Sequence, residues 1–162
     1  MAATTIFDRL IQDHNKHRKL IAAIEDTVGD SDERKALFEE YKTDATAHAA
    51  AEEITLYHQL MGESEMRVYA QHSAADHHKI SELFEELAEA DMGSSGWLAK
   101  FAGLKKQYLD HLKEEEETIF PRALEDMGEE RAVKLRDEFN AQKPEEIQRA
   151  ESGIDEKLNA EL

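Results

Sequence analysis

His111-Leu112-Lys113-Glu114-Glu115-Glu116-Glu117-Thr118-Ile119-Phe120-Pro121 places one imidazole and, four residues later, one carboxylate a single helical turn apart. The phrase occurs twice. Sixty-three residues upstream the chain reads His48-Ala49-Ala50-Ala51-Glu52-Glu53-Ile54-Thr55, and the same offset lays Asp13-His14 on Asp76-His77, Leu20 on Leu83 and Phe38 on Phe101. Between 13 and 61, twelve positions are identical at that offset, where background composition gives about three. The chain is built as two copies of one hairpin, each shaped Asp-His and then His-x-x-x-Glu-Glu.

The rest of the sequence says that these hairpins are helical. Only two prolines and seven glycines occur, and the abundance of Ala, Leu, Glu and Lys favours long helices. Breaker clusters at Gly29-Asp30-Ser31-Asp32, Met61-Gly62-Glu63-Ser64 and Gly93-Ser94-Ser95-Gly96 leave helices at about 4–28, 32–61, 64–91 and 97–126. Their inward stripes are Phe7, Leu10, His14, His17, Ile21, Ile24 and Val28 in the first, and Phe38, Tyr41, Ala45, His48, Glu52 and Leu56 in the second. The third gives Ala70, Ser73, His77, Ile80, Phe84 and Leu87, and the fourth Phe101, Leu104, Tyr108, His111, Glu115 and Ile119. Short connections force antiparallel neighbours, so the expected fold is all-α, an up-down-up-down four-helix bundle over residues 1–128. Residues 129–162 form a C-terminal helical extension. It divides into a short helix from Glu129 to Ala141 and a second one starting at Pro144-Glu145-Glu146, with Ile147, Ile154 and Leu158 on one side. The extension carries no candidate ligand. It can pack on the bundle, join a second copy of the chain or another protein, or stay mobile, and the sequence leaves these open.

Turn positions test whether the repeated residues meet. Residues equidistant from an antiparallel turn lie at one height, and the midpoints of His14/His48, His48/His77 and His77/His111 fall at 31, 62.5 and 94, each inside a breaker cluster. The four histidines share a level roughly 25 Å from the turns at 1.5 Å per residue. Glu52 and Glu115 lie one turn beyond His48 and His111 on the same faces. Burying six such groups without a partner costs several kcal/mol per charge, and coordination to cations satisfies them. His14, His48, Glu52, His77, His111 and Glu115 are therefore the candidate metal ligands.

Other chemistries are narrowed by composition. The formal charge of −17 repels nucleic-acid backbones and anionic membrane surfaces. The absence of cysteine removes thiolate catalysis, disulfides and cysteine-ligated clusters, and fits a reducing cytoplasm. No run approaches the roughly 20 apolar residues of a membrane span, and the first residues lack the features of a secretory signal. The expected setting is cytoplasmic. Four imidazoles and two carboxylates are too rich in nitrogen for magnesium or calcium; iron suits the set best, and manganese or zinc can substitute.

The pattern Asp-His, His-x-x-x-Glu-Glu, Asp-His, His-x-x-x-Glu-Glu-x-x-x-Phe-Pro resembles the hemerythrin-like, or HHE cation-binding, family over about residues 5–126. The resemblance implies a non-haem di-iron centre, two iron ions bridged by oxo or hydroxo, with His14, His48, His77 and His111 terminal and Glu52 and Glu115 bridging. It implies a small oxidant (oxygen, hydrogen peroxide or nitric oxide) as the bound or reduced species, through peroxidase-like, catalase-like or nitric-oxide-handling activity. The alternative is an iron or oxygen sensor or store without turnover. Oxygen-carrying relatives have a third-helix His-x-x-x-His pair, where Ser73 and Ser81 flank His77, and Glu115 replaces their Asp. These departures point away from oxygen carriage. The iron-sulfur-repair members add a Cys-bearing segment, which has no counterpart here. Ferritin-like Glu-x-x-His pairs are absent.

Three side chains are candidates for supporting roles. His17 stands on the inward stripe where the repeat has Ile80, and can relay protons or pack as a satisfied core histidine. Tyr41 and Tyr108 can donate a hydrogen bond at the centre or serve as core aromatics. His58, His72 and His78 fall off the inward faces. Glu53 and Glu116 lie about 100° round their helices from the bridging pair, on an expected solvated face.

Overall fold

The computed structural model describes residues 4–153, and these are all-helical. Helix α1, Ile6–Glu25, begins at Thr5, whose hydroxyl accepts from the Asp8 amide while Asp8 bonds back to the Thr5 amide. Helix α2, Asp32–Glu52, starts behind Ser31, whose hydroxyl accepts from the Arg34 amide. A π-helical turn, Glu53–Tyr57, carries α2 directly into α3, His58–Met61. Helix α4 is Arg67–Glu89 and α5 is Trp97–Glu114. A second π-helical turn, Glu115–Ile119, joins α5 to α6, Phe120–Met127. Counting each continuous rod once, α1, α2-α3, α4 and α5-α6 make the expected antiparallel bundle.

Two of the expectations change. Val28 is 82% exposed and does not belong to the core, because α1 ends at Glu25. Over its described residues the extension forms one helix, α7, Glu129–Ser152, with Pro144 inside it. Gly128, at φ 83°, makes the left-handed step that turns the chain from α6 into α7. Pro144 has no N–H for the Asn140 carbonyl, at a cost of roughly 3 kcal/mol for an interior proline. Burial on both sides of it offsets that cost: Ala132, Leu135 and Phe139 before it, Lys143 and Glu146 around it. Helix α7 packs along α1 and α2 of its own chain. Ile154 and Leu158 lie outside the described residues.

The core is in two pieces. Towards one end Ile6, Leu10, Leu56, Leu60 and Ile119 pack with Leu135 and Phe139 of α7. Towards the other, Ile24, Phe38, Phe84, Leu87, Trp97 and Phe101 form an aromatic-rich block. That end is tied by Arg34, which donates to the Thr27 hydroxyl and carbonyl and to the Met92 carbonyl while covering the Trp97 ring at 4.9 Å. Between the two blocks lies a layer of buried His, Glu and Asp side chains. Among the described residues no helix is long and apolar enough to cross a membrane.

Candidate metal centre

All six expected residues meet in that layer. They form two groups, His14-His48-Glu52-Glu115 and His77-His111-Glu52-Glu115, with the donor atoms of each group within 4.8 Å of one another. Both groups use both glutamates. His14 Nε2 is 3.4 Å from Glu115 Oε1 and His48 Nε2 is 3.4 Å from Glu52 Oε2. His77 Nε2 is 3.2 Å from Glu52 Oε1, His111 Nε2 is 3.2 Å from Glu115 Oε1, and the two Nε2 atoms are 3.1 Å apart. Donors bound at about 2.1 Å to one ion and meeting at right angles stand about 3 Å apart, so the spacing suits shared cations.

The outer nitrogen of every ring is held. His14 Nδ1 faces Glu116 at 2.7 Å and His77 Nδ1 faces Glu53 at 2.9 Å. His48 Nδ1 faces Asp13 at 2.8 Å and His111 Nδ1 faces Asp76 at 3.0 Å. Each aspartate serves a histidine of its own hairpin, and each glutamate one of the other hairpin. With a proton on Nδ1 the carboxylates fix each ring so that Nε2 looks inward with its lone pair. Glu53 and Glu116 are thus not merely solvated: an imidazole spans from the inward glutamate to the flanking one. The sequence signal was the repeat itself, which carries Asp-His and Glu-Glu as pairs.

The inward side has the opposite character. His14 Nε2, His48 Nε2, both oxygens of Glu52 and Glu115 Oε1 are buried without a hydrogen-bond partner. Such atoms are rare in native proteins, and here they converge. Burial alone lowers the His48 imidazole, but its hydrogen bond to Asp13 and the nearby charge of Glu52 outweigh it and raise it to about 9. His77 and His111 are likewise raised against their burial, by Glu52 with Glu53 and by Glu115 with Asp76. Glu115, which burial would raise, is held well below the usual carboxylate range by His111 and His14. A cation entering the layer displaces protons and replaces their charge.

Tyr57 is a site residue that periodicity did not reveal. The π turn swings it inward, its hydroxyl donates to Glu115 Oε2, and it accepts from Ser73 at 3.0 Å. Burial and the charges of Glu115 and Glu52 raise its phenol, so the proton stays on the tyrosine. In the other half Phe120 and Leu10 take the places of Tyr57 and Ser73, and Phe120 stacks on His14 with ring centroids 5.8 Å apart. The layer is symmetric in its inward carboxylates and histidines and asymmetric around them.

His17, Tyr108 and Tyr41 lie beside the layer. His17 Nε2 is 2.5 Å from Asp44 and its Nδ1 is 2.5 Å from the Tyr108 hydroxyl. Burial lowers His17 to about 4 despite Asp44, so near neutrality Nε2–H donates to the carboxylate and Nδ1 accepts from the phenol. The Tyr41 hydroxyl is buried without a partner, its ring edge-on to Tyr108. Of the histidines expected off the inward faces, His58, His72 and His78 are exposed. Because the unfolded chain protonates His17 below about 6.5 and the folded chain does not until about 4, the metal-free protein loses stability across that interval, by about 3 kcal/mol from this residue. Urea titrations at pH 7 and pH 4.5 are expected to show a smaller acid loss in His17→Ile, which copies the other half of the repeat.

The sequence matches the family described as Hemerythrin HHE cation binding domain over residues 5–123. Comparison with curated proteins finds no match. The fold is similar to the crystal structure of a hemerythrin HHE cation binding domain-containing protein from Mycobacterium kansasii, with a TM-score of 0.79 and 19% identity, over 90% of this chain and 88% of that one. At that identity the likeness is one of fold. The family match runs from α1 into α6 and takes in both copies of the repeat, and on that ground the chain belongs to the hemerythrin HHE cation-binding family.

Proposed function

We propose that the layer holds two iron ions and that the protein binds or reduces a small oxidant there: oxygen, hydrogen peroxide or nitric oxide. The observation that carries the reading is the set of buried, unpartnered inward atoms, five of them on His14, His48, Glu52 and Glu115. His14 and His48 would hold one ion, His77 and His111 the other, with Glu52 and Glu115 shared. Iron bound by two imidazoles and two carboxylates supplies open coordination positions and a change of oxidation state.

The chain's own contribution is order and access. Asp13, Asp76, Glu53 and Glu116 orient the rings, Tyr57 fixes one oxygen of Glu115 by donating to it, and Phe120 and Phe139 exclude water beside His14 and His48. A cavity of about 770 Å³ reaches His48, His77, His111 and Glu115 from the α2/α4 side. A small molecule has a path to the centre.

Iron per chain and visible absorption test this. The wild type, reconstituted with ferrous iron without oxygen, is expected to hold two ions. His14→Ala and His77→Ala are each expected to lose one, and retention of two by both would refute the assignment. Repeated consumption of hydrogen peroxide without loss of iron marks turnover, whereas one stable spectral change per centre marks a sensor or store.

A further inference from the structure

The cavity is far larger than a small oxidant needs. Oxygen, nitric oxide and hydrogen peroxide each occupy a few tens of Å³, as water does at about 30 Å³, while volumes of several hundred Å³ characterise sites for organic molecules. The space arises from a departure from the repeat. At the offset of 63, Ala45, Ala49, Ala50 and Ser81 on its walls correspond to Tyr108, Leu112, Lys113 and Arg18 in the other half. There the equivalent cleft, between α1 and α5, is filled: Arg18 reaches Glu116 at 2.9 Å and Tyr108 bonds to His17. Among the described residues, small side chains on this side open an approach to the centre.

We propose that this cavity binds an uncharged organic molecule, alkyl or aryl, with one hydroxyl or hydroperoxyl head directed at the centre. The inference deepens the reading above and rests on it for the chemistry at the cavity floor. The inner wall is apolar, formed by Ala45, Ile80, Phe84 and Leu112 with the ring of Tyr108, all buried. These surfaces take a hydrocarbon body of about ten or more heavy atoms. At the rim the cations already face acids, Lys42 to Glu85 at 3.0 Å and Arg149 to Glu146 at 3.0 Å, and the further carboxylates of Glu39, Glu53 and Glu151 repel an anionic ligand. At the floor the polar groups of His48, His77, His111 and Glu115 converge.

The test uses 2-phenyl-2-propanol, which has a compact aryl body and one hydroxyl, titrated calorimetrically into the iron-loaded protein with iron per chain measured on the same samples. One saturable site is expected. Ala49→Leu with Ser81→Arg, which restores the residues of the closed half, is expected to weaken binding about tenfold while iron content is unchanged. Ser81 is exposed, so Ser81→Arg alone folds without repacking and is expected to weaken binding about threefold. No saturable binding to the wild type, or equal affinity in both variants, overturns the proposal. So does a tenfold tightening on removal of residues 154–162, which would make that segment the occupant. Should the wild type hold no iron yet bind the probe and lose it in the variants, the cavity assignment stands and the di-iron reading falls.

Discussion

Glu52→Gln is expected to abolish loading of both iron ions, a larger loss than either single histidine substitution causes. Glu52 belongs to both groups of donors, and both of its oxygens are buried and unpartnered. Glutamine keeps the shape but replaces one anionic oxygen by an amide, so each group loses a charged donor that binding requires. Stability gives an independent reading. A ligand that binds only the folded state at a hundredfold its Kd adds about 2.7 kcal/mol, which for a chain of this size corresponds to a rise in Tm of about 5–10 °C. Ferrous iron is expected to give the wild type such a rise and to leave Glu52→Gln unmoved. Without metal the variant is expected to melt lower than the wild type, since the carboxylate it removes faces the buried imidazoles of His48 at 3.4 Å and His77 at 3.2 Å. Two irons per chain in Glu52→Gln would show that the carboxylates do not bridge.

Lys143→Met is expected to destabilise the protein by about 2–3 kcal/mol, the loss of charge-assisted hydrogen bonds in a buried cluster. The Lys143 ammonium sits 2.9 Å from Asp13 and 3.1 Å from Asp44, with all three side chains at most 8% exposed. Burial by itself raises both carboxyls. His48, Lys143 and Arg9 turn Asp13 well below the usual range, and His17 with Lys143 does the same for Asp44. Methionine matches the stem of the lysine and removes the cation the two acids share, leaving Asp13 to Arg9 and His48 and Asp44 to Lys16 and His17. Urea denaturation of metal-free protein measures the loss, and a change below 1 kcal/mol would mean that solvent reaches the pair. Asp13 also orients His48, so the substitution is expected to weaken iron binding. The measure is iron retained under a chelator.

The long apolar and ligand stripes made the bundle legible, because four rods with breakers at fixed intervals leave few alternatives. The six inward residues were legible for a different reason: a repeat and three turn midpoints fix height without any knowledge of side-chain direction. What surrounds them was harder to read. A helical wheel turns Glu53 and Glu116 away from Glu52 and Glu115, and it has no way to show that a neighbouring imidazole presents a second nitrogen to them. Tyr57 was hidden by its π turn, which widens the helix by one residue just where an α-helical wheel assumes regular spacing. Lys143 was hidden by Pro144. A proline there reads as the start of a new helix, whereas burial on both sides lets one helix run through it and brings an ammonium from the far end of the chain to Asp13.

The exchange of carboxylates between hairpins has a consequence for how such a chain can be divided. His14 and His48 come from the first copy, but the glutamate beside His14 at 3.4 Å is Glu115 of the second, and the glutamate beside His77 at 3.2 Å is Glu52 of the first. Glu116 and Glu53 cross over in the same sense. Cutting the chain at the second breaker would therefore yield two fragments that each own three of the four donors of one group and one of the other, and the whole of neither. A complete set of four donors would form only on reassociation.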